Sequence, residues 1–196
     1  MNKNLRTLTA MAILTALSIL LSRFEIPLVF FAPWIKLDFT WLPALLATFA
    51  FGALGGIGVL GITNLLQWLT HSTTGGIGEI GNFVLGAALI LSAGLIYKRD
   101  YQLRHTKAGA WVGSAVGTVV TVLSALAVNT YFLIPLLMGS TAPLDNMTFM
   151  FGMSGLTGYL LTVTLPFNLL KSAIICGVLL LIYKPLSPIL HGRPRR

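Results

Sequence analysis

The chain has 196 residues, of which 56% are hydrophobic and only 9% charged. A soluble domain carries roughly a quarter charged residues, and this much apolar surface cannot be hidden inside so small a globule; the bilayer has to act as its solvent. The net charge of +8 comes from basic residues set mostly between and beside the apolar runs, which is a topology signal rather than a phosphate-binding stripe, so nucleic acid is not an expected partner.

The N-terminal MNKNLR, followed by an apolar run, has the look of a signal peptide. No convincing small-residue cleavage site follows Ser22, and further spans do, so the run is read as a retained first helix over about 5–21. Ala12 and Ala16 lie four residues apart on one face of it. Small-xxx-small spacing admits another helix at close range, from a partner or from within the bundle. The loop RFEIPLVFFAPWIKLDF follows, with prolines at 27 and 33. Its alternating, β-branched and aromatic character predicts an irregular or short extended cover at the membrane surface.

Span two is read over about 41–51 and span three over about 57–69, with Gly52, Gly55 and Gly56 as a tight connection between them. Both are shorter than the roughly 20 residues a perpendicular helix needs, so they are tilted or packed inside the bundle. The loop HSTTGGIG leads to span four, about 79–97; the charged loop KRDYQLRHTK leads to span five, about 109–137. A long segment from Met138 to Thr157, with Pro143 and Asp145, precedes span six, about 159–183, and a basic tail. Cys176, the one cysteine, sits in the last span and is read as inert core. Nothing suggests a second domain: residues 1–196 read as one membrane domain.

Spans two and three joined as one would give five crossings. The charges decide against it. Lys3 and Arg6 precede span one; Lys98, Arg99, Arg104 and Lys107 lie between spans four and five; Lys184, Arg193, Arg195 and Arg196 follow span six. With six spans all of these share one side, and the other side has only Arg23 and Lys36, balanced by Glu25 and Asp38. The excess of Lys and Arg marks the cytoplasmic side. The expected fold is an all-α integral membrane protein, a six-transmembrane-helix bundle with both termini cytoplasmic, multi-pass in the plasma membrane.

No catalytic constellation stands out. There is no Gly-rich phosphate loop ending in Gly-Lys-Ser/Thr, no HExxH and no Cys-His cluster, so neither ATP hydrolysis nor a metal site is signalled. His71, His105 and His191 lie in loops or the tail and read as solvated. The informative residues are polar groups in or beside apolar spans, where an ionisable side chain is a site hypothesis by default. Lys171 is the clearest, in PFNLLK, with Asn168 three residues before it on one helix face. Asn64, Asn82, Glu79, Asn129 and Asp38 join them. Under six spans every one falls in the outer half of the membrane or at its outer edge. Singly, each has an ordinary reading: a snorkelling lysine, an interhelical amide bond, a surface carboxylate. Their convergence on one side predicts a polar pocket open to the outside. Trp34, Trp41, Trp68, Tyr131, Phe132 and Tyr159 also fall there, as an aromatic belt from which a few rings could stack on a flat ligand.

KLDFTWLPALLATFAFGALGG, NLLQWL, GNFVLGA, NTYFLIPL and PFNLLK occur in that order between about Trp34 and Tyr183. In these the chain resembles the riboflavin-specific S-components of energy-coupling factor (ECF) transporters. The resemblance implies a six-helix fold that binds riboflavin near the outer face. It also implies a partner complex of a transmembrane coupling subunit and two ATPases. It assigns Asn129, Asn168 and Lys171 to the flavin ring, Leu37, Asp38 and Phe39 to the pocket-lining loop, and Ala12 and Ala16 to docking. A matching of chemistry adds Asp38 and Asn82 as contacts to the polyol tail. Riboflavin is then the transported ligand; no cofactor, metal or enzymatic activity is implied. The Met138–Thr157 segment departs from the family pattern. A vitamin-binding subunit for another vitamin, and a stand-alone secondary transporter, are the competing readings. The second would need inverted repeats and polar residues at the midplane, and neither is evident.

Overall fold

In a computed structural model the chain is described over residues 3–32, 35–103 and 108–191. Trp34, His105 and the basic residues Arg104, Lys107, Arg193, Arg195 and Arg196 of the topology argument lie outside these residues.

Helix α1 covers Lys3–Leu21, α2 Trp41–Phe51, α3 Ala53–His71, and α4 Ile77–Leu103. Helix α5, Ala108–Val128, runs on through a π-helical turn, Asn129–Leu133, into α6, Ile134–Met138. A short α7, Ala142–Asp145, follows. Helix α8, Gly155–Tyr159, then runs through a second π turn, Leu160–Thr164, into α9, Leu165–His191. Five of these stretches are long and apolar enough to cross a membrane: Asn4–Leu21, Ala53–His71, Ile77–Asp100, Ala108–Met138 and Gly155–Tyr183.

The sixth, α2, has 11 residues, about 16 Å at 1.5 Å each, which is half the thickness of a hydrocarbon core. It survives because protein, not lipid, surrounds it: every residue from Trp41 to Phe49 is buried, against α1, α3, α4 and α9. Its backbone polar groups are satisfied within the helix, and its neighbours supply the apolar environment.

The glycines after α2 act differently from the sequence expectation. Gly52 alone makes the turn, at φ 91°, its N–H returning to the Thr48 carbonyl at 2.8 Å. Gly55 and Gly56 are already helical, so α3 begins at Ala53, four residues before the expected start. A Cβ on Gly56 would lie 2.7 Å from the Ala44 carbonyl oxygen. Close approach of α3 to α2 is what requires glycine there, despite its cost of about 1 kcal/mol in a helix. The four-residue spacing of Gly109, Gly113 and Gly117 does the same for α5 against α4, where a Cβ on Gly113 would lie 2.8 Å from the Ala93 carbonyl oxygen.

At one end of the bundle the chain between α1 and α2 folds back as a two-stranded ribbon. Strand β1, Ile26–Pro27, pairs antiparallel with β2, Lys36–Leu37, and Lys36 Nζ bonds Glu25 Oε2 at 2.6 Å. The 138–157 region, for which the sequence predicts no structure, is an ordered cap. Leu144 of α7 is fully buried with Ala32, Ile134, Tyr159 and Val163 in a second, smaller core. The cap thus seats on the ribbon at the same end.

Candidate functional site

Lys171 lies on α9 two turns beyond the second π turn. It does not snorkel: its residue exposure is 4%. The ammonium bonds Asp38 Oδ2 at 2.7 Å and Asn82 Oδ1 at 3.3 Å, and sits 4.2 Å from the ring centroid of Trp41. A buried cation needs a counter-charge and further hydrogen-bond acceptors, and here three separate elements supply them. Asp38, in the turn between β2 and α2, is fixed in its turn by Thr40. Its Oδ1 accepts the Thr40 N–H at 2.9 Å and also the Thr40 hydroxyl. Burial works to raise the Asp38 carboxyl, but the charge and hydrogen bond of Lys171 and the two bonds from Thr40 hold it below the ordinary carboxylate range.

The network continues into α3 and α4. Asn82 Nδ2 donates to Asn64 Oδ1 at 2.9 Å, and Asn64 Nδ2 donates to the Leu60 carbonyl at 2.9 Å. The interhelical amide bond read for single asparagines is therefore the role of Asn64, while Asn82 has a second partner in Lys171. Asn168 is 4% exposed and gives its Nδ2 to the Thr164 carbonyl at 2.8 Å, at the end of the π turn.

Several of these residues border a cavity of about 510 Å³. Asp38, Asn82, Asn168 and Lys171 line it, together with Trp41, Phe167 and Leu85 as apolar surface. The ribbon contributes Arg23, Glu25, Ile35 and Lys36; the ends of α3 and α4 contribute Gln67, His71 and Glu79. The rim between α3 and α4 is tied down by Glu79 Oε2, which accepts from Ser72 Oγ at 2.9 Å and Thr74 Oγ1 at 3.1 Å. An apolar wall with a few convergent polar groups is the chemistry of a small-molecule pocket. Among the described residues no group of His, Cys, Asp and Glu could hold a metal ion.

Three residues expected at the site are not on this cavity. Leu37 is buried at 5% exposure and Phe39 is half-buried; as neighbours of Asp38 they shape its loop, and neither lines the space. Asn129 is 8% exposed, opens the first π turn, and gives its Nδ2 to the Ala125 carbonyl at 2.9 Å. The two π turns pack against each other, which brings the neighbourhoods of Asn129 and Asn168 together. Such turns are rare in helices and often mark functional sites.

Several lining residues were not assigned to the site from the sequence, and four of them are informative. Trp41 read as one of a belt of rings from which a few could stack on a flat ligand, and it is 1% exposed. Gln67 and His71 follow Asn64 at spacings of three and seven, one face of α3, and that periodicity was the available signal. Phe167 sits inside PFNLLK beside Asn168. At the far edge of the bundle, Ala12 and Ala16 are exposed on α1, on the side away from the buried Leu14, Thr15 and Ser18.

The family model for the ECF transporter substrate-specific component matches residues 6–183. The chain is 33% identical to the riboflavin transporter RibU of Staphylococcus aureus (strain TCH60), over 95% of this chain and 93% of the relative. It is 34% identical to RibU of Streptococcus thermophilus (strain ATCC BAA-250 / LMG 18311), over 95% and 85%. It is 26% identical to the riboflavin transporter FmnP of Bacillus subtilis (strain 168), over 93% of each. A solved structure described as the S component of a bacterial ECF transporter superposes with a TM-score of 0.76 at 29% identity, covering 96% of this chain and 99% of that one.

Proposed function

The chain belongs to the substrate-specific components of ECF transporters, multi-pass membrane proteins that are not enzymes, and from that membership we propose that it is the riboflavin-binding subunit of an ECF importer. It captures the vitamin from the outer side and delivers it inward with an energy-coupling module. The module, a transmembrane coupling subunit and two ATPases, is what the family resemblance implies, and it fits a chain whose sequence carries no phosphate-binding motif of its own. Both termini are cytoplasmic in this reading, which rests on the Lys and Arg distribution. Residues 1–196 act as one membrane domain.

The observation that carries the proposal is the Lys171 network. A buried ammonium with partners on the β2–α2 turn and α4, facing a cavity of about 510 Å³, stands at the end of the bundle assigned to the outside. The chain aligns over 95% of its length with a transporter named for riboflavin. Riboflavin has a flat ring system with a polar edge of carbonyls and one N–H, and a polyol tail. Trp41, Phe167 and Leu85 offer apolar surface to the ring. Asn168 can donate to and accept from its edge, and Lys171 can donate to a carbonyl. Asn82 is placed for the polyol. Asn129 belongs to the site if the ring extends past Asn168 to the paired π turns. Leu37 and Phe39 support the loop that presents Asp38. Ala12 and Ala16, exposed on α1, form the face that docks on the coupling subunit.

Titration of the purified protein with riboflavin, followed by flavin fluorescence quenching, tests the assignment. Saturable quenching at one equivalent is expected. Absence of quenching, with binding of another vitamin in the same preparation, rejects riboflavin and leaves the family membership standing.

A further inference from the structure

Lysine has three N–H donors. In Lys171 one is taken by Asp38 Oδ2 at 2.7 Å and a second by Asn82 Oδ1 at 3.3 Å, while the ammonium rests on the Trp41 ring. That leaves one donor on a side chain that lines the cavity. Asp38 is the opposite case. A carboxylate has about four acceptor positions, and three are occupied, two by Thr40 and one by Lys171. Its side chain is 19% exposed, against 5% for that of Lys171.

We propose that Asp38 is a positioning residue: it acts on the ligand through Lys171, aiming the remaining ammonium N–H at a ligand acceptor, and makes no essential contact of its own. This rests on the reading that the cavity is the vitamin site, and it replaces the expected contact of Asp38 with the polyol. The physical reason is the freedom of the lysine stem. Four rotatable bonds let an unpaired ammonium leave the ligand for water or a neighbouring carboxylate. The other charged or titratable side chains lining the cavity are Arg23, Glu25 and Lys36 on and beside the ribbon, His71 on α3 and Glu79 on α4. Glu25 is engaged by Lys36, and Glu79 by Ser72 and Thr74. Asp38 is thus the carboxylate that Lys171 meets, and the turn that carries it is rigid because Thr40 closes it. Asp38 also ties the ribbon's β2 strand to α9, so the same bond sets the ribbon over the cavity.

The test is a double-mutant cycle on the dissociation constant for riboflavin with the full-length purified protein. Asp38→Asn keeps the shape and the Thr40 bonds but removes the charge; Lys171→Met removes the donor. Each single variant is expected to weaken binding about tenfold or more. In the Lys171→Met background, adding Asp38→Asn is expected to change affinity by less than about twofold. Asp38→Glu is expected to recover part of the loss in the protein that retains Lys171, and none in Lys171→Met. A further tenfold loss in the double variant would mean that Asp38 touches the ligand itself, and overturns the proposal. So does unchanged affinity in Asp38→Asn. If Asp38→Asn does not fold, Lys171→Met against the double variant, in which both charges are gone, decides alone: equal affinities support the proposal and unequal ones refute it. Should the parent bind a different vitamin, the riboflavin reading fails separately, and the same cycle run on that vitamin distinguishes positioning from contact at Asp38 in the same way.

Discussion

The ammonium of Lys171 lies 4.2 Å from the centre of the Trp41 ring, joining the first turn of the short buried helix α2 to α9. Desolvated contacts of this kind contribute about 2 kcal/mol, and more of the tryptophan's contribution is its volume, since it is 1% exposed. Trp41→Phe keeps a ring under the cation and should leave a folded protein with modestly weaker vitamin binding. Trp41→Ala removes both and should cost about 3–5 kcal/mol of stability. Thermal unfolding of the two variants in detergent checks this; equal melting temperatures would reject Trp41 as a core element.

Asn168→Ala removes an amide that lines the cavity and makes no large void. Binding should weaken by roughly tenfold to a hundredfold, from about 1–3 kcal/mol for a partner left unpaired. The melting temperature should change little. Riboflavin titration beside a melting curve separates the two effects, and parental affinity would remove Asn168 from the site.

Asn129→Ala tests how far the ligand reaches. A ring extending to the paired π turns loses about tenfold in affinity when this amide is removed. Unchanged affinity would confine the ligand to the space between the ribbon, α3, α4 and α9.

The Asp38 carboxyl gives a signed pH dependence. Its folded value is held below the ordinary carboxylate value, so the group adds stability that is fully present above that value and is lost as pH falls through the lowered one. Parent and Asp38→Asn should differ most in melting temperature near neutrality and converge on acidification below about pH 4. A difference that stays constant down to pH 3 would show that the charge is not the source.

Thr73 and His105 flank α4, whose 27 residues span about 40 Å. Cysteines placed there should label from opposite sides of intact cells, over a low background from the buried Cys176; labelling from one side would end the six-span topology. Replacing Ala12 or Ala16 by leucine should abolish coupled uptake while leaving riboflavin binding intact, because both are exposed on α1. Normal uptake in both variants would place the docking face elsewhere.

Composition by itself determined the solvent: an apolar chain with 9% charged residues has only the bilayer to fold in, and the apolar runs marked where its helices lie. The order of the residues also marked Lys171, Asn82 and Asn168, because a polar group in an apolar span is expensive wherever the chain goes, and Asp38 at the edge of one. Tertiary structure decided the rest. Partners 133 residues apart, as Asp38 and Lys171 are, leave no trace in local periodicity. The burial of Trp41 depended on α2 being enclosed by four other helices, which no window of sequence contains. Gly56 read as a turn because glycine is ambiguous between freedom and closeness, and only the approach of α2 resolved it. The cap around Leu144 was unreadable for the same reason: its short helices are held by a small core drawn from the ribbon, α6 and α8, and have no stability of their own to announce them.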